Sequence, residues 1–229
     1  MLGGGGGPLH RLHRHPADLL SSTDLQYIHD LSHQRTALGL RIKSGWAMAV
    51  LVAGPARSPT VMDRRRIELS DPARPRTRQP YHAGFGTAQT SQAVIARLVR
   101  TIERCAARSL RQLVREYAHR GVRPRAAGLV VGSVIDPNRI GNPHIRAHAL
   151  EGALFRRVAA HGLRALRIGS TVVVEREVYG VAARAVRVTE RQLKGMVAEL
   201  AGQVSGRWRS EEKTAAAAAC LALATHRRR

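Results

Sequence analysis

The stretch Thr36–Ala53, TALGLRIKSGWAMAVLVA, decides the fold. Two strand-length apolar runs, Ala37–Lys43 and Trp46–Ala53, flank Ser44-Gly45. A two-residue break containing glycine between such runs predicts a tight β-hairpin. A third run, Thr60–Leu69, is β-branched and carries Arg64, Arg65 and Arg66. One of its faces is therefore expected to be wet, and it should add a third antiparallel strand.

Working outward, Asp71–Gly86 holds three prolines and two glycines without periodicity, which predicts a loop. A long helix is expected from about Thr87 to His119, stopping at Gly121 with Pro124 beyond. Its apolar residues Val94, Leu98, Ile102, Cys105, Leu110, Leu113 and Tyr117 recur at helical spacing. Ala126–Gly132 has the composition of a buried strand. Asn142-Pro143 supplies a cap residue followed by proline at the first helical position, and that helix should end near His161-Gly162. Leu163–Ile168 follows as a strand, then helical stretches at Thr189–Val204 and Glu211–Thr225. The fold class is therefore α/β. Leu38–Ile42, Ala47–Leu51, Arg65–Leu69, Leu129–Val131 and Leu163–Ile168 should form one mixed five-stranded sheet, the three antiparallel strands first, flanked by helices.

The chain of 229 residues is 44% hydrophobic, enough for one domain with its own core. That domain is expected over residues 36–226. Residues 1–35 read as a basic leader with a Gly3–Gly7 run and room for one short helix over Ala17–Arg35; residues 227–229 are a basic tail. Met1–Pro16 has no apolar core of a secretion signal, and reads as a flexible arm or as the product of a start codon placed too early. No stretch approaches the roughly 20 apolar residues needed to cross a bilayer. Cys105 and Cys220 are far apart in sequence and fit no metal spacing, so both are expected reduced and buried, in the cytoplasm. A formal charge of +22, from 38 Lys+Arg against 16 Asp+Glu, points to a polyanionic partner. Arg and Ala richness with little Lys also fits a compositional bias.

The order of strands and helices resembles the RNase H-like fold, and three segments are similar to its RuvC branch, the Holliday-junction resolvases. They are Asn142–Gly162, NPHIRAHALEGALFRRVAAHG; Val174–Val197, VEREVYGVAARAVRVTERQLKGMV; and the last helix, AAAAACLALATH. The resemblance implies cleavage of DNA junctions or other nucleic acid by two divalent ions held on several carboxylates. The residues depart from that pattern. Arg41 stands where the first strand should carry Asp, Gly132 and Ser133 where a Glu should end the middle strand, and Glu211 and Glu212 come before the alanines of the last helix. A cation at the first position repels Mg²⁺. No catalytic residue is carried over.

The clearest pattern lies on the long helix. Arg97, Arg100, Arg104, Arg108, Arg111 and Arg115 step by three and four, and so share one stripe roughly 27 Å long, opposite the apolar stripe. Glu103 and Glu116 are expected off this stripe. A row of arginines can track phosphates, and with Arg64, Arg65 and Arg66 it is the candidate nucleic-acid surface. A solvated face of an arginine-rich helix is the competing reading. Aromatics are only 3%, which disfavours a stacking platform for single strands and favours duplex or structured nucleic acid. His144, His148 and Glu151 share a helix face as candidate metal ligands, although the pattern is not HExxH, Ile145 standing at the Glu position, and no third ligand is indicated; a packed helix edge explains them as well. Gln79-Pro80-Tyr81-His82 closes the loop before the long helix and has capping or binding potential. The leading function is nucleic-acid binding without cleavage, and without metal or other cofactor. The alternatives are a nuclease with acids relocated to Asp63, Asp136 or Glu151, which would use Mg²⁺, and a structural or protein-interaction domain whose arginine excess is only compositional.

Overall fold

In the computed structural model, which describes residues 35–226 except Phe85, the hairpin forms as the sequence predicts. β1 (Thr36–Lys43) pairs antiparallel with β2 (Trp46–Ala53), Lys43 opposite Trp46. Gly45 in the turn takes φ +86°, a region open to glycine without strain, and its carbonyl also accepts from the amides of Leu69 and Ser70. β3 (Thr60–Glu68) pairs antiparallel with β2. Within the expected loop, β4 (His82–Gly84) and β5 (Thr87–Ala88) form a small separate hairpin. The long helix α1 (Gln92–His119) therefore starts later than Thr87, at Ser91, whose side chain accepts from the Val94 amide. β6 (Ala126–Val131) then runs parallel to β1.

α2 (Pro143–Ala165) opens as predicted: Asn142 accepts from the amides of His144 and Ile145, with Pro143 in the first turn. Its end does not follow the prediction. Leu163 stays in the helix, and the fifth strand is β7 (Gly169–Val174), parallel to β6, rather than Leu163–Ile168. Gly162 is not a stop signal here. A Cβ at that position would sit 2.5 Å from Leu110 Cδ1, so the glycine permits α1 and α2 to touch. α3 (Val178–Val186), a helix the sequence reading does not predict, comes next. α4 (Glu190–Glu199) is shorter than Thr189–Val204, since a 3-10 turn takes over at Leu200. α5 (Ser210–Thr225) ends the described chain. The expected leader helix and the basic tail lie outside the described residues.

The sheet order is β3-β2-β1-β6-β7. Three antiparallel strands followed by two parallel additions make the RNase H-like arrangement. Strand alternation divides the core. Ala37, Val50, Val52, Val130 and Val173 pack with α3, α4 and α5, while Leu38, Leu40, Ile42, Leu129 and Val131 pack with α1 and α2. The alanine run of α5 lies directly on the strands. A Cβ on Gly39 would be 1.8 Å from the Ala215 carbonyl oxygen, and one on Gly128 would be 2.3 Å from that of Ala218. Small residues on both sides thus set the spacing of that layer. Cys220 is buried here, its thiol pushed up to about 12 by desolvation. Cys105, expected buried, is only half-buried at the flank of α1, whose covered stripe runs instead through Ile95, Ile102, Ala106, Leu110, Leu113 and Tyr117. Among the described residues no helix is long and apolar enough to cross a membrane.

Candidate functional site

Arg41 points from β1 to the α5 side of the sheet and is 3% exposed. Its guanidinium donates to both carboxylate oxygens of Glu175, just past β7, with Nε to Oε1 at 3.0 Å, and donates from Nη1 to the Ile42 carbonyl at 2.8 Å. The neighbouring acids are also engaged. Glu211 lies 3.9 Å from Lys43. Glu212 lies 3.3 Å from Arg64 and accepts from the Arg209 amide at 3.1 Å, capping α5. Where the resemblance expects a carboxylate cluster, the chain has ion pairs.

On the opposite face of the sheet, α1 and α2 pack side by side, and a groove of about 800 Å³ runs between them. Arg97, Arg100, Arg104, Arg108 and Arg111 line one wall; Arg157 and His161 of α2 line the other. These five arginines, and Arg115 further along the helix, are exposed. No ion pair joins any of the six to a carboxylate among the described residues. Glu103, expected off the stripe, lines the same groove and pairs with Arg157 at 3.7 Å. It is the one acid in the lining.

The three basic residues of β3 do not share the groove. Because side chains alternate along a strand, Arg65 turns toward α1, where Asp63 and Glu116 accept from it; Asp63 also accepts from the Tyr117 hydroxyl at 2.8 Å. The acid beside it and the loss of solvent hold the Tyr117 phenol well above its usual range, burial being the larger cause. Arg64 turns to the α5 side and donates to the carbonyls of Ser205 and Arg207. Arg66 stacks 4.5 Å from the Trp46 ring centroid and pairs with Glu68 at 2.7 Å. Each of these cations therefore already has an acid partner.

His144 and His148, in the first turns of α2, share a face as the sequence reading expects. The β4–β5 hairpin adds His82 to them. Ring nitrogens of the three histidines all lie within 4.8 Å of one another. Glu151 takes a different place from the one expected. It is 1% exposed and sits behind the cluster, where Oε1 accepts from His82 Nδ1 at 2.7 Å. Its buried Oε2 lies 3.5 Å from His148 Nδ1. Desolvation raises the Glu151 carboxyl above its ordinary range, opposed by the hydrogen bond from His82. Tyr81 precedes His82 in the chain; burial raises its phenol above the ordinary range, opposed by the charge of Arg157.

Of the other acids considered as relocated ligands, Asp63 lies on the edge strand β3, and Asp136 caps the short turn Pro137–Arg139 after β6. β2 and β1 intervene, so β3 and β6 are about 14 Å apart at the usual strand spacing. These residues do not assemble with Glu151. His82 is the functional candidate that sequence reasoning missed as a ligand. The available signal was its position in Gln79–His82, which only the short hairpin folds back onto α2.

No family model and no curated protein matches this sequence. Among solved structures, the chain is similar to Thermus thermophilus RuvC, with TM-score 0.46 and 12% identity over 81% of this chain and 92% of that one. RuvC of the same organism in complex with a Holliday junction substrate gives TM-score 0.49 and 9% identity, over 82% and 91% of the two chains. The yeast mitochondrial Holliday junction resolvase gives 0.41 and 10%, over 87% and 82%. These are likenesses of the chain trace at low identity; the RNase H-like assignment rests on the order and direction of the five strands.

Proposed function

We propose that this domain binds duplex or structured nucleic acid along the α1–α2 groove and does not cut it by the two-metal route of the family it resembles. One observation carries the reading: five exposed arginines, none in an ion pair, line a single groove. Guanidinium groups spaced one turn apart suit a row of phosphates and release counterions on binding. Arg64, Arg65 and Arg66 take a smaller part, since each is held by an acid. Absence of cleavage is supported by Arg41, whose buried charge occupies Glu175 where a metal-binding carboxylate would be needed.

The test is binding of duplex, four-way junction and single-stranded DNA and RNA across salt, with and without Mg²⁺ or Mn²⁺. Duplex or junction binding that weakens steeply with salt, without cleavage, is the expected result. Failure to bind any of them at about 100 mM salt, where such a surface still holds a polyanion, makes the arginine excess compositional. Metal-dependent cutting abolished by changing Glu175, Glu211 or Glu212 means that a nuclease site persists at the sheet end.

A further inference from the structure

We infer that His82, His144 and His148 form a binding site for one Zn²⁺-class cation, with a fourth coordination position open to solvent. Three imidazoles from two elements converge: His82 from β4, and His144 and His148 one turn apart on α2. Their ring centroids are 4.5–5.1 Å apart; His144 meets His82 and His148 edge-on, with planes inclined by 79° and 76°, and His82 is tilted by 48° to His148. His82 Nε2 and His144 Nδ1 are 3.2 Å apart. Two ligands on a tetrahedral Zn²⁺ with metal–nitrogen bonds of about 2.0–2.1 Å are separated by about 3.3 Å.

The carboxylate behind the cluster adds a second, independent argument. Glu151 Oε1 lies 2.7 Å from His82 Nδ1, and a carboxylate there favours the tautomer with the proton on Nδ1 and the Nε2 lone pair toward the other histidines. A buried carboxylate orienting a ligand histidine in this way is the usual support of a metal-bound imidazole. It also offsets one unit of the ion's charge, which three neutral imidazoles leave untouched. Imidazole donors select Zn²⁺, Cu²⁺ or Ni²⁺ over Mg²⁺ and Ca²⁺, which prefer oxygen. The set is also rigid: Asn142 caps the turn that carries His144, and His82 is held by the pairing of β4 with β5. His148 is exposed, so the open position faces solvent.

The test uses the full chain with His10, His13, His15, His29 and His33 changed to Ala, because those histidines precede the described domain and can take metal themselves. This background should retain one Zn²⁺ per chain after gel filtration and lose it to a chelator. Loaded with Co²⁺, it should show a visible band of four- or five-coordinate intensity. His148→Ala, at an exposed position, should keep the fold and lose the band and the retained Zn²⁺. His144→Ala should do the same. Glu151→Gln should weaken binding by about 10–100-fold, as loss of an orienting partner does. His119→Ala, exposed at the end of α1 and outside both sites, should leave Zn²⁺ retention unchanged. Absence of retained Zn²⁺ in the background chain overturns the inference, as does equal retention in His144→Ala, His148→Ala and parent. The three histidines are then a hydrogen-bonded packing cluster.

Discussion

Replacing Arg100, Arg104 and Arg111 together by Gln removes three charges from one wall of the α1–α2 groove. The residues are exposed on a long helix, and Gln has nearly the helix propensity of Arg, so the fold should survive. The geometry sets the size of the effect. From Arg97 to Arg111 the helix advances about 21 Å. One strand of B-form duplex presents a phosphate about every 3.4 Å of axis, or about six over that length. Five arginines can thus neutralise at most about five phosphates, giving a slope of log K against log salt near −4.5. Removing three should leave about −1.8. Between 50 and 200 mM salt the parent should therefore lose about 500-fold in affinity and the variant only about 12-fold. Fluorescence anisotropy of a labelled duplex over that salt range reads both numbers, and thermal melting checks the fold. Equal losses on unrelated sequences would mark these as positioning contacts rather than base readers. A folded variant with the parent's affinity and slope refutes the reasoning, because the stripe is then a solvated face.

Glu103→Gln removes the one carboxylate of the groove lining. It should tighten nucleic-acid binding by about 2–3-fold at low salt, the size of a screened charge pair about 7 Å apart in water, with the gain vanishing as salt rises; weaker binding would place the ligand elsewhere. Gly39→Ala drives a Cβ to 1.8 Å from the Ala215 carbonyl oxygen, so α5 must shift. The cost should be about 3 kcal/mol, read as a melting point lower by about 6–12 °C. Gly132→Ala, with nothing within 4 Å, is the neutral control, and equal melting of the two variants contradicts the close seating of α5.

Much of this fold is legible before any coordinates because its signals are local. Ser44-Gly45 between two apolar runs, Asn142-Pro143 before a helix, and Gly121 after one each specify a backbone geometry by chemistry within a few residues. The errors arise where a residue's role is tertiary. Gly162 has the composition of a helix stop but serves the contact with Leu110, which shifted the fifth strand from Gly169–Val174 to Leu163–Ile168. Thr87 and Ala88 continue smoothly into a helical pattern, and only pairing with His82 and Gly84 makes them a strand. The same limit governs the site. Six arginines on one helix stripe can be counted from periodicity, but that Glu103 leans into their groove depends on Arg157 across it. His144 and His148 are visible as a pair, whereas the third histidine arrives from 62 residues earlier in the chain.

The two faces of the sheet divide the chemistry between them. On the α5 side Arg41, Lys43 and Arg64 meet Glu175, Glu211 and Glu212 one for one, so the acids nearest Arg41 are already paired, while Arg207 and Arg209 stay exposed at that edge. On the α1–α2 side the balance is opposite: five groove arginines face one acid, and the nearest buried carboxylate, Glu151, is turned toward histidines. The histidine cluster and the groove share α2, where His148 and Arg157 are nine residues and so about 13.5 Å apart along the axis. Exposed arginines without acid partners among the described residues thus line one groove on the α1–α2 side, and ligand chemistry should be sought there.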